Sequence, residues 1–238
     1  MTGVSRRLLA EFTGTGLLVA VVVGSGIAAA RLTSDGALRL LVNSLVTALG
    51  LAVLILIFAP AGGAHFNPLV TAADWILGRS TAHGYSIGQA AAVITAQITG
   101  AIGGAALADA MFAAPLLRPS QTHRGGAHIL LSEVIATAGL LLLIVTLART
   151  GRTQHAAWSV GAWIGAAYWF TASTSFANPA VTIGRALTDT YAGIAPASAP
   201  AFIAAQVAGA ACGTVLAVIV NPASPALAQA SEPAQLAG

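Results

Sequence analysis

The sequence predicts an all-α membrane protein with six transmembrane helices and two shorter re-entrant half-helices, arranged as an inverted repeat of three spans. Three observations lead to this fold class: long apolar runs, an internal repeat, and a pair of short Asn-Pro segments. Of the 238 residues, 57% are hydrophobic and 7% are charged, whereas a soluble domain has about 25% charged residues. The composition therefore excludes an ordinary soluble protein.

Six apolar runs are long enough to cross the roughly 30 Å hydrocarbon core of a bilayer, which takes about 20 helical residues. They cover residues 8–30, 38–59, 86–108, 129–147, 156–172 and 199–220. The stretches between them are too short for a second domain, so we interpret residues 1–238 as a single membrane domain. We expect the Ala- and Pro-rich residues 223–238 to form a loose tail.

The first apolar run follows Arg6 and Arg7 and ends in an Ala-rich stretch, a pattern that also occurs in cleaved signal peptides. The run is long and carries Glu11 near its start, so we interpret it as a retained first span. Arginine is more frequent in cytoplasmic than in external loops. Arg6 and Arg7 therefore favour a cytoplasmic N-terminus in the inner cell membrane.

The two halves of the chain share three short patterns in the same order. The segment Asn-Pro-Leu-Val-Thr at residues 67–71 matches Asn-Pro-Ala-Val-Thr at residues 178–182. Because three spans is an odd number, a second copy must run inverted in the membrane, with the repeats at about 8–110 and 127–222. The remaining matches are Ala96-Gln97 with Ala205-Gln206, and Glu11 and Thr15 with Glu133 and Thr137.

Each Asn-Pro segment begins a short apolar stretch, at residues 67–77 and 178–187, which spans roughly 15 Å at 1.5 Å per residue. Asparagine is a good N-cap and proline fits the first helical turn, so both stretches predict half-helices whose N-termini meet near the membrane midplane. Irregular backbone at that depth requires burial in protein or a hydrated cavity. The converging positive helix ends and spare Asn amide groups predict a polar path that favours neutral oxygen-bearing solutes and repels cations.

The two Asn-Pro boxes, together with Ala-Glu-Phe-x-Gly-Thr at residues 10–15, resemble the major intrinsic proteins, which are the aquaporins and aquaglyceroporins. The resemblance extends over residues 10–222. It implies a homotetramer with one pore in each protomer. The pore residues that it implies at the boxes are Asn67, Pro68, Leu69, Asn178, Pro179 and Ala180.

The boxes depart from the family pattern at two positions. Leu69 stands where the family usually has alanine, and we expect its bulk to displace the half-helix or narrow the lumen. Val181 stands where the family usually has an arginine that forms the cationic wall of the outer selectivity filter. Arg185 lies one turn further along the half-helix, and we expect that it does not simply replace the missing arginine.

By their spacing from the boxes, four residues match the filter positions of the family, namely Thr47, Ala166, Ser175 and Val181. The register of the fifth span leaves Gly165, Tyr168, Trp169 and Phe170 open as alternatives to Ala166. This set predicts a wide, weakly polar constriction that admits water, glycerol, urea, undissociated metalloid acids or organoarsenicals. The alternatives are a water-selective channel and an ion-coupled secondary transporter, which also uses inverted repeats and broken helices.

Two carboxylates lie inside predicted spans, where an ionisable group is a candidate for ion coupling. Because the repeat relates Glu11 to Glu133, we favour a structural role in which each accepts hydrogen bonds from the backbone of a re-entrant loop. His65 directly precedes the first box, and we expect it to brace that loop or to face the inner vestibule. No cluster of metal-ligating residues accompanies it in the sequence.

Several other function classes find no support in the sequence. The ten Lys+Arg residues, all arginine, are too few for a nucleic-acid surface. The single cysteine, Cys212, cannot form an internal disulfide. No set of nucleophile, base and orienting residue indicates an enzyme. We therefore expect no catalytic residue, cofactor or metal, and as partners only small neutral solutes, water and the lipid bilayer.

Overall fold

The computed structural model describes residues 3–78 and 85–222, and in these two ranges it is entirely helical apart from turns and loops. The predicted tail at residues 223–238 lies outside the described residues. The helices are α1 (Gly3–Leu32), α2 (Gly36–Gly62), α3 (Pro68–Gly78), α4 (Ile87–Met111), α5 (Ala127–Arg149), α6 (Ala156–Phe170), α7 (Pro179–Ala186) and α8 (Ala199–Val220).

Five of the six predicted spans form helices that are long and apolar enough to cross a membrane, namely α1, α2, α4, α5 and α8. The predicted span at 156–172 is shorter than expected, because α6 has 15 residues and Thr171 leaves the helix with an extended backbone. Helix α6 directly follows a 3₁₀ turn at Thr153–His155. Together the turn and the helix rise about 28 Å, which is close to the thickness of the hydrocarbon core.

The helix ends define two faces of the molecule. At the near face, the ends of α5 and α8 meet, and Arg149 donates a hydrogen bond to the backbone oxygen of Asn221. At the far face, the ends of α1 and α4 meet, and Arg31 donates to the backbone oxygen of Phe112. Successive long helices therefore alternate in direction, as membrane spans do.

The two half-helices begin in the middle of the molecule and end at opposite faces. Helix α3 ends at the near face, where Asp74 lies 3.9 Å from the guanidinium of Arg7 in α1. Helix α7 ends at the far face, where the backbone oxygen of Ala186 accepts a hydrogen bond from Ser120 N–H at 3.0 Å. This opposite orientation of equivalent elements is the geometry that an inverted three-span repeat requires.

Glycines allow the third long helix of each half to pack closely on the first. A side chain at Gly104 of α4 would overlap the backbone oxygen of Gly16 in α1. A side chain at Gly213 of α8 would likewise overlap the backbone oxygen of Ala138 in α5. Backbone contact of this kind replaces the hydrophobic driving force that helices lack inside lipid, and it builds both halves of the molecule on the same plan.

Candidate functional site

A cavity of about 860 Å³ lies between the two half-helices and the walls formed by α2, α5 and α6. It extends from Asp74 at the near face, past Asn67 and Asn178, to Arg185 in the last turn of α7. Most of the lining is apolar. The polar side chains of the lining include Thr47, His65, Asn67, Asp74, Tyr168, Ser175, Asn178 and Arg185.

The two box asparagines form a reciprocal clamp at the centre of this cavity. The Nδ2 atom of Asn67 donates to the backbone oxygen of Ala177 at 2.8 Å, and Nδ2 of Asn178 donates to the backbone oxygen of Phe66 at 2.7 Å. Each Oδ1 atom accepts a hydrogen bond from the first turn of its own half-helix, from Leu69 N–H at 2.9 Å in α3 and from Ala180 N–H at 3.0 Å in α7. The asparagines therefore cap their helices and join the two loops.

The residue before each asparagine adopts a left-handed backbone. Phe66 and Ala177 both have φ of 49°, a conformation that costs on the order of 1–3 kcal/mol for a residue other than glycine. Two residues earlier, Ala64 and Ser175 repeat the pattern with φ of 51° and 50°. The hydrogen bonds that hold these loops offset this strain, and the same backbone shape recurs in both halves.

Glu11 holds the loop that precedes α3 by accepting hydrogen bonds from its backbone. One carboxylate oxygen accepts a hydrogen bond from His65 N–H at 2.8 Å, and the other accepts from Phe66 N–H at 2.8 Å and from the amide of Gln97 at 2.8 Å. The Gln97 amide also contacts the Thr71 hydroxyl at 2.8 Å. The carboxylate is fully buried, and hydrogen bonds to an anion of this kind are stronger than those between neutral groups.

Glu133 repeats this arrangement under the second loop. Its two oxygens accept hydrogen bonds from Phe176 N–H and Ala177 N–H, both at 2.9 Å. The Gln206 amide lies 2.7 Å from the carboxylate and 2.9 Å from the Thr182 hydroxyl. The structure thus places both glutamates against the backbone of a loop, and neither lies on the cavity wall.

Gln97 and Gln206 also hold the site together, although no role had been predicted for them. Both are fully buried and bridge a glutamate to the half-helix of the same repeat. The sequence contains a signal for these two glutamines, because the Ala-Gln pairs at residues 96–97 and 205–206 belong to the internal repeat. A polar residue that recurs in equivalent membrane spans indicates a buried hydrogen-bond partner.

His65 lies at the near-face mouth of the cavity and contacts both its own half-helix and an acidic group. Its Nδ1 atom is 3.1 Å from the Thr71 hydroxyl, and its Nε2 atom is 3.6 Å from the Asp74 carboxylate.

Arg7 and Tyr85 also interact near this mouth of the cavity. The guanidinium carbon of Arg7 lies 4.3 Å from the centre of the Tyr85 ring, and burial raises the pKa of Tyr85 to about 12. In residues 3–78 and 85–222, no group of three or more potential metal ligands comes together.

Three of the predicted filter residues lie on the cavity wall beyond the asparagine clamp. Thr47, Ser175 and Val181 are all buried from outside solvent and line the cavity. The Thr47 hydroxyl lies 3.3 Å from the hydroxyl of Tyr168 in α6. The wall on this side therefore combines hydroxyl groups with the apolar side chain of Val181.

The predicted placement of Ala166 in this wall is wrong. The side of α6 that lines the cavity carries Val160, Ile164 and Tyr168, which are spaced by four residues. Ala166 lies about 200° around the helix from its lining neighbours, and its side chain is exposed on the outer surface. Tyr168 is thus the α6 residue at this level. The four-residue spacing of Val160, Ile164 and Tyr168 is the sequence signal that identifies it.

Leu69 does not narrow the cavity as we expected. Its side chain is partly buried and packs against the hydrophobic core, while the cavity side of α3 carries Val70, Ala73 and Asp74. The backbone N–H of Leu69 still caps onto Asn67 at 2.9 Å. The larger side chain is therefore accommodated behind the half-helix, without displacing its first turn.

Arg185 also lines the cavity, which had not been predicted. It is 2% exposed, and its Nε atom donates to the backbone oxygen of Ala192. The guanidinium carbon lies 3.4 Å from the centre of the Phe176 ring. The Arg185 guanidinium therefore lines the same cavity as Val181, at the end nearest the far face.

Comparison with known proteins identifies the family. The family model described as MIP, major intrinsic protein, matches residues 2–174 of this chain. Because this match covers well over half of the sequence, the chain belongs to the major intrinsic protein family. The predicted fold class is confirmed, including the inverted repeat with two half-helices.

Individual relatives lead to the same result. Aquaglyceroporin AqpS of Rhizobium meliloti (strain 1021) is 46% identical over 228 residues, which cover 95% of each protein. The glycerol uptake facilitator protein of Pseudomonas aeruginosa is 30% identical over 168 residues, which cover 61% of this chain and 58% of that protein. The X-ray structure of the aquaglyceroporin from Plasmodium falciparum matches with a TM-score of 0.71 at 18% identity, over 95% of this chain and 99% of that chain.

The family membership defines the class of protein. Major intrinsic proteins are passive channels, so this chain is a channel protein and not an enzyme. Its apolar helices α1, α2, α4, α5 and α8 make it an integral membrane protein.

Proposed function

We propose that this protein is a passive channel for small uncharged solutes of the glycerol type, and that it also conducts water. The observation that carries this proposal is the reciprocal clamp of Asn67 and Asn178 on the cavity wall. Each amide group uses one N–H in the clamp and can offer its second N–H to a solute oxygen. The positive ends of α3 and α7 point to the same place, which favours oxygen atoms and disfavours cations.

The lining beyond the clamp supports solutes larger than water. The lining here has small side chains, namely Thr47, Ser175 and Val181. Val181 offers an apolar surface, and Thr47 offers a hydroxyl group. A polyol has the matching character, with carbon on one side and hydroxyl groups on the other. Urea, undissociated metalloid acids and organoarsenicals of similar size and neutral charge belong to the same proposed range. The names of the relatives, aquaglyceroporin and glycerol uptake facilitator, support glycerol as the reference solute.

A water-selective channel is the second candidate, and Tyr168 favours it. The Tyr168 ring lies on the cavity wall where a smaller residue had been expected. Its hydroxyl group lies 3.3 Å from the Thr47 hydroxyl, so the two residues join α2 and α6 at the cavity wall. A ring at this position narrows the lumen, so the relative rates of water and glycerol passage decide between the two candidates.

The geometry disfavours an ion-coupled transporter. A coupling carboxylate must exchange a proton or ion with the lumen. Glu11 and Glu133 are each occupied by three N–H donors and do not line the cavity. They act in our proposal as braces for the loops, together with His65.

We also propose a homotetramer with one pore per protomer, in the inner cell membrane and with the N-terminus in the cytoplasm. Large apolar side chains such as Leu45 and Ile57 of α2 are exposed on the outer surface, where lipid or neighbouring protomers would cover them. Arg6 and Arg7 support the orientation. Native mass spectrometry of the purified protein tests the assembly, and a mass of a single chain would contradict it.

Stopped-flow light scattering on proteoliposomes tests the proposed function directly. Vesicles with and without the protein are mixed first with an impermeant osmolyte, which reports water efflux, and then with glycerol in the absence of an ion gradient. We expect fast shrinkage in the first experiment and fast re-swelling in the second. Fast water efflux without re-swelling would instead support the water-selective candidate. Absence of both fluxes would overturn the channel proposal.

A further inference from the structure

We propose that Arg185 is the specificity-determining cation of this channel, and that it forms the polar side of a filter displaced one helical turn from Val181. This inference rests on the proposed channel function. The ligand class is a small neutral solute with oxygen atoms close enough together to accept two hydrogen bonds, such as a vicinal diol or an undissociated oxyacid. Cations are the class that this filter excludes.

The Arg185 guanidinium is held on the cavity wall by two contacts. Its carbon lies 3.4 Å from the centre of the Phe176 ring, and its Nε atom donates to the Ala192 backbone oxygen. Phe176 is held in turn, because its N–H donates to Glu133 at 2.9 Å and its ring lies 5.1 Å from that of Phe202. The aromatic contact and the hydrogen bond restrict the orientation of the guanidinium.

Arg185 retains terminal N–H donors that have no protein partner among the described residues. Among the described residues, Ala192 is its hydrogen-bond acceptor through Nε, and neither terminal nitrogen forms a hydrogen bond or an ion pair with them. The Arg185 side chain is 2% exposed, and it lines the cavity. A buried cation without a carboxylate partner is costly unless water or solute satisfies it. The cavity that Arg185 lines supplies that contact.

The wall around Arg185 is otherwise apolar. Val181 and Phe176 line the cavity together with Arg185. Ser175 also belongs to the lining, but its hydroxyl oxygen is buried and sealed from solvent. Arg185 is therefore the polar group of this part of the lining.

Arg185 supplies to the cavity the positive charge that is missing at position 181, where the family usually has an arginine. Four helical residues separate the two positions, which corresponds to about 6 Å along α7. The planar guanidinium can donate two parallel hydrogen bonds to neighbouring oxygen atoms, which a point charge cannot do. A fixed positive charge in a lumen of low dielectric also raises the energy of a passing cation.

A second arginine, Arg124, also lies near Phe176, but it does not share the filter role of Arg185. Arg124 belongs to the loop between α4 and α5 and lies 5.4 Å from the Phe176 ring. Its Nε atom donates to the Gly193 backbone oxygen at 2.9 Å, and burial lowers the pKa of its guanidinium. Arg124 is not part of the cavity lining, so we assign it to the loop structure.

The test compares Arg185→Met with wild-type protein in proteoliposomes, using a potassium gradient, a trapped pH-sensitive dye and glycerol re-swelling. We expect Arg185→Met to raise potassium or proton leak at least about tenfold, because the fixed charge is gone. Arg31→Met is the matched control, since Arg31 also contacts a ring and a backbone oxygen at the far face but lies outside the cavity. Its leak should equal that of wild type.

Two further variants separate a filter role from a merely structural one. The double variant Val181→Arg with Arg185→Met should regain cation exclusion, because a charge returns to the same lumen. Arg185→Lys should keep cation exclusion and lower the ratio of glycerol to water permeability, because lysine lacks the planar fork. Unchanged leak in Arg185→Met, or wild-type solute ratios in Arg185→Lys, would overturn the inference. Failure of the wild-type protein to pass glycerol or water would instead overturn the proposed channel function.

Discussion

The side-chain amide of Asn178 lies 2.7 Å from the backbone oxygen of Phe66, although the two residues are 112 positions apart in the chain. The equivalent bond from Asn67 reaches Ala177 at 2.8 Å. Because each half supplies the donor for the other half's loop, the centre of the cavity depends on both halves at once. A change at either asparagine is therefore expected to affect the whole passage.

Replacing Asn178 by leucine tests this dependence. The substitution removes the cap of α7 and the bond to Phe66, and a lost buried hydrogen bond costs about 1–3 kcal/mol. We expect glycerol and water permeability to fall at least about tenfold. Asn221→Leu is the matched control, because Asn221 contacts Thr146 at the near face, away from the cavity. Normal flux through a well-folded Asn178→Leu protein would contradict the role of the clamp.

Val181→Arg tests whether Val181 lies at the narrowest part of the passage. The new guanidinium adds bulk and a second charge beside Arg185, so we expect the ratio of glycerol to water permeability to fall about tenfold, as small changes in pocket size can do. Val181→Ile adds one methylene group without charge and should have a smaller effect. If the permeability ratio of Val181→Arg equals that of wild type, Val181 does not contact the solute.

Tyr168→Ala tests the corrected position of the α6 wall. Removing the ring takes away the partner of the Thr47 hydroxyl and widens the lumen, so we expect four-carbon and five-carbon polyols to pass faster relative to glycerol. Ala166→Leu serves as the comparison, because Ala166 faces the outer surface, and its permeabilities should match those of wild type. If Ala166→Leu blocked flux instead, Ala166 would have to lie on the cavity wall.

Gly104→Ala tests the close contact between α4 and α1. The added methyl group would overlap the backbone oxygen of Gly16, and overpacking of this kind costs about 1–3 kcal/mol. We expect a clearly lower thermal unfolding midpoint in detergent, followed by tryptophan fluorescence. Gly103→Ala is the control from the adjacent position, since nothing lies within 4 Å of its added atom. Equal midpoints for the two variants would disprove the proposed contact.

Elements that follow from local pattern were predictable from the sequence. The apolar runs and the Asn-Pro boxes place the long helices and the starts of α3 and α7 within a few residues, because hydropathy and N-capping act over short distances. The end of α6 was not predictable in this way. Residues 166–172 contain no glycine or proline that would mark the end of the helix, yet the backbone becomes extended at Thr171.

The lining of the cavity was predictable only in part. Thr47, Ser175 and Val181 follow from their spacing to the boxes, whereas Ala166 failed because one helical position rotates a side chain by about 100°. Arg185 required knowledge of Phe176 and Ala192, which the fold brings beside it. Partnerships between distant segments carry no local signature, and they decide which side chains remain free to face the lumen.

The bond between Asn67 and Ala177 also has a consequence for biosynthesis. The two residues are separated by 110 positions, which corresponds to roughly 5–20 s of translation at about 5–20 residues per second. During that interval the first loop has left the ribosome while its acceptor does not yet exist. The nascent first half therefore holds an unpaired Asn67 side-chain amide until residue 177 has been made. The centre of the passage is thus completed only by the second half of the chain.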